Sequence, residues 1–114
     1  MTILQILKIF AAIGTIATGL ISLIWPQSVT GFTGLSPQGP RGITEIRTVL
    51  GAFFVGMGAA PLILNAPAAY RMLGISYLLV AVVRTASMFV DKSVVQSNII
   101  SVAVEVIFGI ILVL

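Results

Sequence analysis

What most limits this chain is the length and spacing of its apolar runs. Residues 3–25, 44–64, 69–90 and 94–114 each form a nearly uncharged stretch, and together they take up most of the 114 residues. About 20 apolar residues in an α-helix, rising 1.5 Å each, cross the hydrocarbon of a bilayer. Lipid offers no hydrogen bonds to the backbone, so each such run must satisfy its own amides as a helix. Charged side chains nonetheless lie inside the runs, Arg47, Arg84 and Glu105 among them.

Composition agrees with spans rather than a water-soluble core. Hydrophobic residues make up 59% and charged residues 8% of the chain, and mean hydropathy is +1.20; soluble domains carry about 25% charged residues. The expected architecture is all-α: one integral membrane domain over residues 1–114, an up-down-up-down four-helix bundle with short connections. A cleaved signal peptide is not expected, because the first run exceeds the usual ~7–15-residue apolar core and ends in Trp25-Pro26 rather than at small residues. Trp25 suits the membrane interface and Pro26 a helix end.

The net charge of +3 does not point to nucleic acid, since Lys8, Arg41, Arg47, Arg71, Arg84 and Lys92 are scattered. Arg41, Arg71 and Lys92 fall near span ends, where attraction to anionic lipid accounts for them. With no Cys and no His, thiol and imidazole chemistry is excluded, and no metal or cofactor is expected. An even number of crossings puts both termini on one side, and the basic residues lean toward a cytoplasmic placement of the two odd loops.

Residues 27–43 read as the one real loop, rich in Gly and Pro, with Phe32 and Leu35 suited to the membrane surface or the bundle mouth. Thr44 is placed to cap the second span and Glu45 to face its positive end. Pro61 is expected to kink that span or bring its end forward. Small residues at helical spacing, Ala11, Thr15 and Gly19 in the first span and Gly51, Gly56 and Gly58 in the second, allow backbones to approach. Packing within one chain is the favoured use of these stripes and a homodimer seam the alternative.

The polar residues of the fourth span, Asn98, Ser101, Glu105 and Gly109, recur every three or four positions and so share one face. That face should meet protein. Glu105 lies about eleven residues from either end of its run, near the bilayer midplane by helical rise, where an unpaired carboxylate costs several kcal/mol. Arg84 is its expected partner, offset in depth by about 6–7 Å. Glu45, Arg47, Arg84 and Glu105 are therefore the candidate buried polar network, serving either to fix helix register or to hold a ligand.

The segment Gly31-Phe32-Thr33-Gly34-Leu35, followed by Gly42-Ile43-Thr44-Glu45-Ile46-Arg47 and then Gly51 and Gly56, resembles a family of small four-span bacterial membrane proteins known only as a domain of unknown function. The resemblance covers nearly the whole chain and is carried mainly by the Thr-Glu-Ile-Arg segment. It implies a four-helix bundle in a bacterial inner membrane and Glu45, Arg47, Arg84 and Glu105 as the polar signature. It supplies no reaction.

The leading functional expectation is a non-enzymatic scaffold or accessory component that lives among membrane lipids, alone, as a homodimer or beside other membrane subunits. One alternative is a small proton- or cation-coupled transporter using Glu105, although small multidrug transporters carry their essential acid in the first span, where this chain has Lys8. Another is a bundle that binds an amphipathic ligand, such as a lipid head group or a quinone, through Arg47 and Arg84. An enzyme is the weakest reading, because Glu45 and Glu105 differ too much in depth to act on one small group.

Overall fold

The computed structural model describes all 114 residues, Met1–Leu114. Four helices are long and apolar enough to cross a membrane: α1 (Ile3–Ile24), α2 (Gly39–Leu64), α3 (Pro67–Val90) and α4 (Gln96–Val113). No strand is present. Their side chains are distributed the opposite way to those of a water-soluble protein. Phe10, Ile63, Leu79, Val83, Phe89 and Ile107 are among many large apolar residues left exposed, while Thr15, Ser22 and Glu105 are buried. Lipid is the solvent that makes this favourable, and the chain is a multi-pass membrane protein.

The second span begins earlier than its hydropathy implies. Residues 27–43 are largely helical: a 3₁₀ turn at Pro26–Val29, one helical turn at Thr30–Thr33, then the start of α2 at Gly39, with Pro40 in its first turn. Proline suits that position because its missing N–H is one that the first turn leaves unpaired anyway. Thr44 therefore lies inside the helix, and its hydroxyl donates to the Pro40 carbonyl at 3.1 Å instead of capping. Phe32 and Leu35 remain half exposed.

Two compact units make up the packing, Ala12–Asn65 on one hand and Met1–Ala11 with Ala66–Leu114 on the other. In the first, the later turns of α1 lie against α2 at backbone distance. A Cβ added to Gly58 would stand 2.6 Å from the Ala12 carbonyl oxygen, and one on Gly19 2.7 Å from that of Gly51. At Gly51 it would meet the Leu23 backbone at 3.0 Å. These glycines serve packing within the chain, whereas Gly56 faces open space.

Within α2, Ile46–Ala52 is wound as a π-helix, closed by the Phe53 N–H on the Thr48 carbonyl, five residues back. Such segments are rare and insert an extra residue into the turn; this one contains both Arg47 and Gly51. Pro61 sits fully buried without ending the helix early. Termination comes at Asn65, which adopts the left-handed conformation (φ 49°) and donates its N–H to the Pro61 carbonyl.

In the second unit α3 and α4 form an antiparallel hairpin around Gly74 and Gly109. A Cβ on Gly74 would come within 2.7 Å of Leu112, and one on Gly109 within 2.6 Å of Leu78. Phe108 is held edge-on by Phe10 and Tyr77, with ring centroids 6.4 and 5.6 Å away. The same steric requirement can be measured in the other unit by comparing Gly58 with Gly56. Gly58→Ala should lower the thermal unfolding temperature in detergent, because the collision is with backbone. Gly56→Ala should leave it unchanged or raise it, since alanine favours the helix by up to about 1 kcal/mol.

Candidate functional site

The hairpin turn at Asp91 and Lys92, the latter with φ 52°, returns α4 alongside α3. Arg84 lies about six residues, or roughly 9 Å, inside the end of α3, and Glu105 about nine residues, or roughly 13–14 Å, inside the start of α4. Helical side chains lean toward their own N-terminus. In an antiparallel pair Arg84 therefore leans deeper and Glu105 leans back toward the turn, which closes the axial gap.

The two side chains meet edge to edge. Arg84 Nε donates to Glu105 Oε1 at 2.9 Å and Oε2 at 3.1 Å, and Nη2 donates to Oε2 at 2.8 Å. Arg84 Nη1 donates to Asn98 Oδ1 at 3.0 Å, and Asn98 Nδ2 in turn donates to the Ser93 carbonyl at 2.9 Å. Planar two-point pairing of this kind is the strongest geometry available to guanidinium and carboxylate. The Glu105 side chain is 10% exposed and that of Arg84 34%. No buried side-chain nitrogen or oxygen in the protein is without a hydrogen-bond partner.

The predicted stripe on α4 is borne out in its burial. Glu105 and Gly109 are buried, Asn98 and Ser101 partly so, and Leu112, one step further on, is completely enclosed. Asn98 was legible as a member of this stripe, but its role as the second acceptor for Arg84 follows only from the fold.

The other two candidates belong to the unit formed by Ala12–Asn65 and have partners there. Glu45 is exposed and accepts from Arg41 one helical turn earlier. Arg47, also exposed, donates through Nη1 to the Leu23 carbonyl at 3.0 Å. That carbonyl lies in the last turn of α1, where peptide oxygens lack intrahelical donors and carry the negative end of the helix dipole. Arg47 thus caps α1 from a distance of 24 residues along the chain. Local spacing made the Arg41–Glu45 pair readable, since residues four apart on a helix are neighbours, yet Arg41 was not among the expected network.

A shallow groove of about 470 Å³ runs along the hairpin beside the ion pair, lined by Leu79, Val80, Val83, Arg84, Ser87 and Asn98. A second, of about 440 Å³, lies between residues 35–38 and the first turns of α2, with Glu45 at its edge.

These features define a multi-pass helical membrane protein with a guanidinium–carboxyl pair set into one hairpin. The chain matches the family described as Domain of unknown function (DUF4345) over residues 3–114, and it belongs to that family. No curated protein and no solved structure matches it.

Removing one partner of the pair leaves the other charged in an apolar setting, whereas removing both does not. Arg84→Leu should reduce the yield of folded protein and lower unfolding temperature in detergent, at a cost of roughly 2.5–3.5 kcal/mol for a stranded intramembrane charge. The double variant Arg84→Leu/Glu105→Leu should recover part of that loss. Equal loss in the single and double variants would mean that the pair contributes no mutual stabilisation.

Proposed function

We propose that this chain is a non-enzymatic structural component of the membrane, whose α3–α4 hairpin is fixed in register by Arg84, Glu105 and Asn98. The observation that carries this reading is the closure of Glu105: both carboxyl oxygens accept from the same guanidinium, and the side chain is nearly buried. A carboxyl group that shuttles protons or cations must exchange partners and meet water during its cycle. This one is held by three hydrogen bonds from a single arginine.

The other acid of the candidate network supports the same view. Glu45 is also paired with an arginine, one helical turn away on its own helix. The apolar side chains exposed along all four spans suit membrane lipid as the main partner, with a second copy or another membrane subunit as further neighbours. A bacterial inner membrane is the proposed location, on the resemblance carried by Thr44–Arg47.

Reconstituted into liposomes enclosing a pH-sensitive dye, the protein should give no proton flux above that of empty liposomes when a membrane potential is imposed. The same result is expected with Na⁺ or K⁺ gradients. A flux that disappears in Glu105→Gln, with the fold intact by circular dichroism, would replace the structural reading with a transporter.

A further inference from the structure

We infer that the groove beside Arg84 is a binding site for a neutral, carbonyl-bearing amphiphile, whose carbonyl oxygen accepts from the guanidinium while its apolar body lies along Leu79, Val80 and Val83. This goes beyond the structural reading above and does not depend on it.

The argument begins with the donors of Arg84. A guanidinium has five N–H bonds. Glu105 takes the one on Nε and one on Nη2, and Asn98 takes one on Nη1. One N–H on each terminal nitrogen therefore has no protein acceptor, and the side chain is 34% exposed along the groove. The neighbouring polar groups offer it nothing more. Ser87 turns its hydroxyl to Asp91 at 2.5 Å and does not accept from Arg84, and Asn98 is engaged with Arg84 and the Ser93 carbonyl.

Depth decides what kind of molecule meets these donors. Arg84 is about 9 Å along the helix from its end and leans away from the turn, so the head of the side chain lies at hydrocarbon level. Donors facing hydrocarbon are costly when unmet. The walls are apolar and largely exposed, Leu79 at 63%, Val80 at 45% and Val83 at 59%, which suits a chain or ring rather than a polar solute.

Charge then separates the two classes of acceptor. Glu105 already neutralises Arg84, so an incoming phosphate or carboxylate would share its guanidinium with a second negative group at short range in a low-dielectric setting. A carbonyl oxygen accepts the same hydrogen bonds without adding charge. A quinone ring and the ester linkage of a glycerolipid both supply that chemistry.

The test uses this 114-residue chain in nanodiscs of ether-linked phosphatidylcholine, which contain no ester carbonyls. The probe is a decyl-substituted 1,4-benzoquinone, measured against protein-free discs, with decylbenzene and decyl phosphate as comparators. Saturable binding of the quinone is expected, with its carbonyl infrared band moved to lower frequency and affinity on the order of tenfold above that of decylbenzene, the equivalent of about one hydrogen bond. Val80→Trp places a large ring over the groove one turn before Arg84 and should abolish the band shift without changing the unfolding temperature.

Equal affinity for quinone and decylbenzene, decyl phosphate binding as tightly as the quinone, or a band shift that survives in Val80→Trp would each overturn the proposal. Repeating the titration in ester-linked discs separates the two sources. Weaker quinone binding there identifies lipid ester carbonyls as competing occupants of the site, and unchanged binding identifies a quinone-like ligand as preferred.

Discussion

The pairing of Arg84 with Glu105 is the constraint around which the α3–α4 hairpin is organised. Either charge alone at that depth is unfavourable by several kcal/mol, and the packing of the two helices brings the planar edges together. Helix direction makes the meeting possible. An antiparallel neighbour turns the common N-terminal lean of side chains into convergence, so residues at unequal depths arrive at one level. Asn98 then completes the triad by joining the guanidinium to the carbonyl of Ser93 near the turn.

Elsewhere the packing relies on the absence of side chains. With lipid on the outside, apolar residues gain little by moving inward, and close backbone approach supplies dispersion in place of the hydrophobic effect. Gly19, Gly51 and Gly58 bring α1 and α2 to distances that a methyl group would violate, and Gly74 and Gly109 do the same for α3 and α4. The larger residues are thereby left to face lipid. Arg47 adds a polar tie to the first of these contacts by serving a carbonyl that α1 itself leaves unbonded.

Much of this was legible along the chain because it depends on local periodicity. The four spans follow from run length, the α4 stripe from steps of three and four, and the Arg84–Glu105 pair from counting residues inward from a shared turn. What escaped were features set by tertiary contact or by fine backbone geometry. The glycines and prolines of residues 27–43 suggest a loop, but Pro40 sits where a helix accepts it, so α2 starts at Gly39. The π segment has no sequence signature of its own; it is recognisable only from the bond between Phe53 and Thr48. Arg47 reads as an interfacial charge until α1 is seen to present it with the Leu23 oxygen. Glu45, read as a member of the polar network, accepts from Arg41 through the simplest spacing available on a helix.

The sequence proximity of the ion pair has a consequence for biogenesis. Arg84 and Glu105 are separated by 21 residues, so both emerge on consecutive spans joined by a tight turn. Neither span can leave an aqueous insertion channel cheaply by itself, since each would carry a bare charge into lipid. Folded together as a hairpin, they present the bilayer with a neutral, internally bonded unit. Entry as a helix pair is thus favoured over entry one span at a time, and the electrostatic requirement that fixes the mature hairpin also favours joint partitioning of its two arms.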